Sequence, residues 1–418
     1  MSIEQPPAER DLLAGRRIVI GVSGGIAAYK TCSLVSALKK RGAEMRVVMT
    51  ENATRLVTPL TFSVLADAPV EYDLWAERAE DALTHISLQE FAEALLVCPA
   101  TANIIGKAAN GIADDLLSTT IMAATCPVGF APAMNSQMWH NPAVQENVAR
   151  LRARGCWIVG PAYGALASGA VGEGRLAGSQ QLIACVERML VEQQPPDTDL
   201  RGRKVLITGG PTREYMDPVR FLSNASSGKM GYALAGQAAA AGAEVTLVSG
   251  APPQMAEASS LAGGFETIAV TSAAEMLAAV QDNIAGVDVF IAAAAVADYA
   301  FAEIAEQKIK KTAAGLAVEL ERTPDIVRWV ADSPQRPQLV VGFAAESHDV
   351  VSNAAAKLAD KHLDLIVANS ILEAGSGFGS DTNRVSLLGP EGFRADLPLM
   401  SKWAVADAVL DEVARRLP

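Results

Sequence analysis

The sequence predicts an α/β protein made of two doubly wound, Rossmann-like domains in tandem. Three observations carry this. A chain of 418 residues is longer than one compact core accommodates. Both halves open alike: GRRIVIGVSGGIAAYKTCSLVSALKKRGAEMRVVMT from Gly15, and GRKVLITGGP from Gly202, which continues after an insertion as SSGKMGYALAGQAAAAGAEVTLVSG. Each is a β-branched strand, a glycine-rich turn, an alanine-rich helix ending at Gly42 or Gly242, and a second strand, which is a βαβ unit. Between them, residues 192–203 (EQQPPDTDLRGR) are polar, contain proline and lack apolar periodicity, as a linker does. The expected domains are residues 1–191 and 204–418.

The remaining strands follow from apolar runs bounded by turn residues. In the first half these are 94–100 (ALLVCPA), 126–133 (CPVGFAPA) and 156–161 (CWIVGP). In the second they are 287–299 (VDVFIAAAAVADY), 338–346 (QLVVGFAAE) and 363–370 (LDLIVANS). Polar turns rich in glycine or asparagine follow their carboxyl ends, where open α/β sheets bind ligands.

Composition excludes several classes. A net charge of −12 argues against a nucleic-acid or anionic-membrane surface, though not against an anion held by backbone amides. The five cysteines are scattered, without CxxC spacing, and read as reduced cytosolic thiols with no structural zinc. The opening MSIEQPPAERDLLAG has no apolar signal-peptide core, and no apolar stretch reaches a membrane span of about 18 residues. A cytoplasmic protein is expected.

The first glycine turn, GVSGGIAAYK, lacks full G-x-G-x-x-G spacing, and the next strand ends in VVMT without an acid for a ribose diol. Alone, such a turn is as compatible with strand–helix packing as with a ligand. Small hydroxyl and amide groups at successive strand ends favour the ligand: Ser23, Thr50, Thr101, Ala102, Asn103, Ser118 and Thr119, with Gly24 and Gly25 in the turn. Such a set suits FMN better than NAD.

GVSGGIAAYK, THISL, CPATANIIGKAANGIADDLLSTT and PAMNSQMW together resemble the flavin-dependent cysteine decarboxylases. GGPTREYMDPVRFLSNASSGKMG, AAAVADY, KIKK, PDIV, GFAAE and KLADKHLDLIVAN resemble phosphopantothenate–cysteine ligases. Their order resembles the family of bacterial bifunctional coenzyme A biosynthesis enzymes, from about Arg16 to the C-terminal helix. The resemblance implies a flavodoxin-like FMN domain followed by a CTP-binding ligase domain. It implies ligation of L-cysteine to 4'-phosphopantothenate through an acyl-cytidylate, then decarboxylation of 4'-phosphopantothenoylcysteine to 4'-phosphopantetheine.

In the first half the resemblance makes His85 the active-site base or orienting histidine and Asn135 the group that binds the substrate carboxylate. On residue type alone, Asn135 would cap the following segment and His85 would be structural. Asp114 and Asp115 precede an apolar run and read as helix N-terminal charges. The glycine-rich stretch YGALASGAVGEGRLA (163–177) falls at the family's substrate-covering flap, and Ser168 stands where the family pattern has a proton-donating cysteine. A hydroxyl is a far weaker acid than a thiol of pKa about 8.5. Three readings stay open: Ser168 relays a proton; another group, Cys156 among the candidates, donates it; or the reaction stops at the enethiol.

In the second half the resemblance assigns Lys308 to CTP contact and acyl-cytidylate formation, and Asn224 to stabilising the activated acyl group. Asp298 is assigned to the CTP ribose, with Ala292, Ala293 and Ala294 permitting close approach. Pro324, Asp325, Ile326, Val327 and Phe343 match nucleotide contacts. Lys357 and Lys361, four apart, would share a helix face toward the triphosphate, accompanied by Mg2+ with unassigned ligands. Asp217 and Arg220 match the pattern without a role, and residues 376–388 are expected as a turn and strand at a dimer contact. A homo-oligomer is implied, with flavin trimers joined through ligase dimers into a dodecamer. The alternatives keep the ligase and make the flavin half an enethiol-forming oxidative decarboxylase or a non-catalytic FMN-binding regulatory module.

Overall fold

A computed structural model describes residues 11–75, 84–192, 198–251, 265–310 and 316–418. Five residues of the expected linker, 193–197, and Lys311 lie outside the described residues. The chain divides into two units, Met1–Asp197 and Thr198–Pro418.

The first unit is built on β1 (Arg17–Val22), β2 (Glu44–Met49), β3 (Val70–Glu71), β4 (Ala94–Ala100), β5 (Val128–Pro132) and β6 (Trp157–Ile158). They pair in the order β3-β2-β1-β4-β5-β6, every neighbour parallel. This is the Rossmann order; without the two-residue edge strand β3, the other five read as the flavodoxin order. A parallel sheet buries both faces, and β4 is buried at every position. Along β1, Ile18, Ile20 and Val22 join the core layer that contains Leu34 and Ile183, while Val19 joins the layer that contains Ile105 and Leu117. That alternation is the strand period, two-sided because helices cover both faces.

After β6 the chain forms an antiparallel hairpin, β7 (Ala162–Ala165) and β8 (Val171–Arg175). The flap stretch is thus a defined hairpin with Ser168 at its tip. Its base is fixed: Met134 N donates to Gly174 O at 2.9 Å, and Ser136 Oγ donates to Glu173 O. Gly174 has φ +133°, and a Cβ there would lie 2.2 Å from Met134 O, so only glycine permits this seating.

The second unit starts with β9 (Lys204–Gly209). An insertion follows that carries a ribbon, β10 (Arg213–Tyr215) and β11 (Phe221–Ser223). The sheet continues through β12 (Glu244–Ser249), β13 (Glu266–Ala269) and β14 (Val289–Ala292). A second ribbon, β15 (Tyr299–Phe301) with β16 (Leu320–Arg322), precedes β17 (Leu339–Glu346) and β18 (Leu365–Ser370). Beyond them are β19 (Thr382–Asn383), β20 (Ser386–Leu388), β21 (Arg394–Asp396) and β22 (Met400–Ser401). The main sheet runs β13-β12-β9-β14-β17-β18-β20-β21, the first six parallel and the last two antiparallel. Its parallel part repeats the strand order of the first unit.

The helix Lys229–Ala240 sits directly on β9 because Gly231 faces Gly209; a Cβ on Gly231 would lie 2.8 Å from Gly209 Cα. Gly231→Ala is therefore expected to destabilise the second unit by about 1–3 kcal/mol through overpacking. Denaturant unfolding followed by hydrogen exchange should place the loss in Thr198–Pro418 and leave the first unit's protection unchanged.

Candidate active sites

In the first unit the expected polar residues gather at the carboxyl ends of β1, β2, β4 and β5. Ser23 is buried; its Oγ donates to Pro99 O at 2.8 Å and accepts from Thr101 N at 3.0 Å, tying β1 to β4. Thr50 and Thr101 cap the helices Glu51–Thr54 and Ala102–Asn110, their Oγ1 atoms accepting from Ala53 N and Ile104 N. Ala102 and Asn103 form the first turn of the latter helix, with Asn103 exposed. Gly24 serves packing, since a Cβ there would lie 2.4 Å from Asn52 Cβ; one on Gly25 would meet Thr101 Cγ2 at 3.2 Å.

What asks for a ligand here is the start of the helix Ala28–Lys40. It has no side-chain cap and no acid in its first turn. Lys30 sits in that turn, and burial and then the charge of Arg175 on β8 lower its pKa. Neither cation has an ion-pair partner among the described residues, so an open helix N-terminus and two cations face one region. A phosphate fits that chemistry.

Ser118 and Thr119 do not join this set. Ser118 closes a capping box: its Oγ accepts from Asp115 N at 3.1 Å, and its N donates to Asp115 Oδ1 at 2.8 Å. Thr119 Oγ1 donates to Asp115 O at 2.8 Å. Their hydroxyls therefore hold the start of the helix Leu116–Ala123 instead of a cofactor. Lys107 Nζ reaches both Asp114 (2.6 Å) and Asp115 (2.7 Å). Burial of Asp115 is outweighed by Lys107 and Ser118, which hold its carboxyl below the usual range.

Asn135 caps the turn Ser136–Trp139, with Oδ1 accepting from Gln137 N at 2.9 Å. That leaves its NH2 group at the exposed mouth, beside the base of the hairpin. The capping role and a carboxylate-binding role therefore use different atoms. His85 is half-buried in the first turn of the helix Thr84–Phe91, which leads into β4. A crossover between parallel strands runs antiparallel to them, so this first turn lies at the carboxyl edge.

Ser168 is exposed, and none of the five thiols replaces it. Cys156 directly precedes β6 and Cys126 lies two residues before β5, both at the amino edge of the sheet. Cys98 is inside β4, its thiol pushed up to about 12 by burial, and burial puts Cys126 at about 11. Cys185 is buried, and half-buried Cys32 packs against the core. Cys156 as an alternative donor is therefore excluded on position.

The second unit holds a cavity of about 750 Å³ at the carboxyl ends of β9, β14, β17 and β18. Ala292, Ala293, Ala294 and Asp298 line it after β14, and Pro324, Asp325, Ile326 and Val327 line it at a helix start. Phe343, Lys361 and Asn224 complete the expected set that reaches it. Asn224 Nδ2 donates to Ala295 O (3.2 Å) and Val296 O (3.0 Å), fixing the amide against the β14 turn. Lys361 pairs with Asp325 at 3.0 Å. Burial of Asp325 is outweighed by Arg328 N and Lys361, so its carboxyl titrates below the usual range.

Two expected lysines are placed elsewhere. Lys357 pairs with Glu346 at 2.6 Å at the end of β17 and does not line the cavity. Lys361 N donates to Lys357 O at 3.0 Å, so the two stay one helical turn apart, but their ammonium groups pair with different acids and only Lys361 lines the cavity. Lys308 is exposed and outside the cavity lining. Its neighbour Ile309 is gripped through both backbone groups: Ile309 N donates to Asp217 Oδ2 (3.2 Å), and Arg220 Nη2 donates to Ile309 O (2.6 Å). Asp217 is inaccessible to solvent and bonded to Arg220 Nε at 2.9 Å. The pair without an expected role is thus a bracket for the lysine segment.

Residues 376–388 contain the expected turn and strand, with Thr382–Asn383 and Ser386–Leu388 extended. Gly377, Phe378 and Asn383 line this cavity. Lys402 and Lys229 line it as well, and sequence reasoning missed both. Lys229 follows the glycine of SSGKMG, a weak signal; nothing around Lys402 in SKWAVADAV marks it.

The architecture defines a class: two parallel α/β units in tandem, one with a hairpin seated on the loop of Asn135 at the polar carboxyl edge, and one with a cavity carrying lysines and small residues. Residues 7–191 match the family described as Flavoprotein, and residues 200–417 match the DNA/pantothenate metabolism flavoprotein C-terminal domain. The coenzyme A biosynthesis bifunctional protein CoaBC of Bacillus subtilis (strain 168) is 45% identical over 403 residues, covering 96% of this chain and 98% of the relative. That of Escherichia coli (strain K12) is 43% identical over 412 residues, covering 97% and 98%. The crystal structure of a CoaBC C-terminal domain is 38% identical, covers 52% of this chain and 97% of that chain, and superposes with a TM-score of 0.42. The chain belongs to the family of bifunctional coenzyme A biosynthesis proteins.

Burial of Asp217 is outweighed by hydrogen bonds from Val219 N, Arg220 and Ile309 N, which hold its carboxyl well below the usual range. A depressed folded pKa gives stability that is present above the unfolded value of about 4 and lost as pH falls through the folded value. Asp217→Asn should therefore lower the unfolding midpoint of the second unit near neutral pH. The deficit should shrink in acid, where wild type loses the same bonds. Faster hydrogen exchange at the Ile309 amide would accompany it; an unchanged amide would remove the bracket.

Proposed function

We propose that the second unit ligates L-cysteine to 4'-phosphopantothenate with CTP, and that the first unit decarboxylates the product with FMN to 4'-phosphopantetheine. The observation that carries this reading is the pairing, in one chain of this family, of a hairpin seated on the Asn135 loop with the cavity of Asn224, Asp298 and Lys361.

A carboxylate is a poor electrophile. Its oxygen attacks the α-phosphorus of CTP, pyrophosphate leaves, and the acyl-cytidylate is then attacked by the cysteine amine with loss of CMP. Ala292 to Ala294 admit the nucleotide close to the backbone, and Asp298 receives the ribose. Phe343, Ile326 and Val327 give the base an apolar seat, and Lys361 neutralises phosphate charge. Asn224, with Nδ2 held by two carbonyls, keeps its oxygen free as an acceptor, which suits the N–H of the attacking cysteine amine beside the acyl group. Lys308 enters the reaction from the segment bracketed by Asp217 and Arg220. Mg2+ would arrive with the triphosphate. It would be held mainly by the triphosphate oxygens and would offset their charge.

In the first unit, Ser23, Thr50, Thr101, Asn103 and the Gly24–Gly25 turn would hold FMN, its phosphate against the start of the helix Ala28–Lys40. When bound, FMN supplies oxidation of the substrate's cysteinyl thiol and the matching reduction after CO2 has left. Asn135 donates from its NH2 to the substrate carboxylate, and His85 takes the proton at the carboxyl edge. Ser168, at the hairpin tip, relays the final proton from water. An aliphatic hydroxyl is a weak acid, so this relay is slower than a thiol would be.

The unit also exposes Leu60 and Val64 (72% each) and Trp75 (84%), an apolar surface that favours self-association into the homo-oligomer expected for the family. No helix among the described residues is long and apolar enough to cross a membrane.

Mass spectrometry of the product formed anaerobically from 4'-phosphopantothenoylcysteine tests the first unit. Phosphopantetheine is expected, formed faster by Ser168→Cys. A product lighter by two hydrogens would overturn the relay and make this half an oxidative decarboxylase. Absence of CO2 would leave a flavin-binding module beside a ligase.

A further inference from the structure

Lys402 opens the last helix, Lys402–Arg416, where Ser401 Oγ accepts from Ala404 N at 3.1 Å. It is only 6% exposed, yet it lines the cavity of the second unit. Its Nζ donates to Gly377 O at 3.0 Å, and no carboxylate lies within ion-pair distance of it among the described residues. A buried ammonium with one neutral acceptor is an expensive arrangement without a counter-charge. A second cation shares this corner. Lys229, the first residue of the helix Lys229–Ala240, donates to Asp381 Oδ1 at 2.6 Å and to Gly379 O at 3.0 Å. Burial, and then the charge of Lys229, lower the pKa of Lys402 to about 8, against the pull of Asp381. One carboxylate thus faces two ammonium groups.

The other groups around them are donors. The helix Lys229–Ala240 has no side-chain cap on its first turn. Asn383 Oδ1 already accepts from Ser376 Oγ and Gly377 N, which leaves its NH2 group available. This corner therefore calls for an anion with several acceptor oxygens.

Its place in the fold separates it from the Lys361–Asp325 pair. Ile326, Val330 and Ala354, on the helices flanking that pair, join the core layer on the side of Val248. The helix Lys229–Ala240 lies on the other side, against Leu247: a Cβ on Gly231 would sit 3.7 Å from Leu247 Cδ1. Adjacent strand residues point to opposite faces, so the two cationic groups stand over opposite faces of the sheet, joined by one cavity.

We propose that Lys402, with Lys229 and the amides opening its helix, forms a second anion subsite that takes the phosphate monoester of the acyl substrate, apart from the nucleotide end at Lys361. This rests on the ligase reading and adds to it the residue that recognises the phosphorylated form of the acid. A terminal phosphate of CTP has the same chemistry, so the experiment varies the two substrates separately.

Lys402→Met and Lys402→Arg are assayed in the full chain, with phosphopantothenate varied at saturating CTP and the reverse, and with unphosphorylated pantothenate as the comparison acid. In Lys402→Met the KM for phosphopantothenate should rise about 10- to 100-fold, the loss of one charge-assisted bond. The KM for CTP should hold, the preference for phosphopantothenate over pantothenate should collapse, and Lys402→Arg should restore most of it. A rise confined to the CTP KM would overturn the assignment in favour of a triphosphate site. A fall in kcat with both KM values and the preference intact would overturn it in favour of a structural lysine. Should Lys402→Met fail to fold, judged by thermal melting and decarboxylase activity, Lys229→Gln is measured on the same preference. Wild type that forms no product from CTP, cysteine and phosphopantothenate would sink the ligase reading itself, a different result from any of these.

Discussion

Parallel strands must be covered on both faces, and that constraint organises everything else in this chain. In each unit the order of the parallel strands is the same, and helices bury both faces. Polar side chains are then tolerated in number only at the carboxyl edge, where loops enter helices and backbone amides are free. Ser23, Asn135, Asn224 and Asp298 all stand at that edge because the sheet leaves them nowhere else to be. The repetition of strand order explains how one architecture carries two unrelated chemistries: the sheet is fixed, and the loops after each strand differ.

At such an edge, a polar residue has two competing uses, and the sequence pattern does not separate them. Ser118 lies in a hydroxyl-rich run near a helix start, yet it is closed onto Asp115. Thr50 and Thr101 cap helices, and Ser23 ties β1 to β4. Asn135 and Asn224 each commit one half of the amide to the backbone and keep the other half for a ligand. A capping bond holds the side chain in one rotamer, so the fixed half orients the free half. The structural reading and the functional reading are the same bond seen from two sides.

Much of the fold was legible because hydrophobic period and glycine turns are local signals. The two βαβ openings gave the parallel sheets, and PDIV and AAAVADY gave two of the stretches that line the cavity of the second unit. The rest depended on contacts distant in sequence. The partner of Lys357 is Glu346, eleven residues away on a different element. The bracket on Ile309 comes from residues 92 and 89 positions earlier. Lys402 looks like an ordinary helix-start residue until the loop carrying Gly377 is laid across it. Spacing rules see neighbours on one helix or strand; they do not see which loop crosses which.

The hairpin of the first unit shows how that crossing bears on chemistry. A run of glycines alone suggests a strip that folds over its ligand and opens freely. The base of the hairpin is instead bonded to the loop that carries Asn135, with Gly174 pressed against Met134 and Glu173 held by Ser136. The side chain of Glu173 also stands 3.5 Å from His140 Nε2 at the end of the same loop. Any movement is therefore left to the tip, where Leu166 N donates to Ala170 O at 2.8 Å and Gly169 N to Leu166 O at 3.0 Å. Ser168 sits inside that closed turn, so the hairpin sets its position whatever its side chain. A thiol and a hydroxyl at this tip would occupy the same place and differ only in acidity.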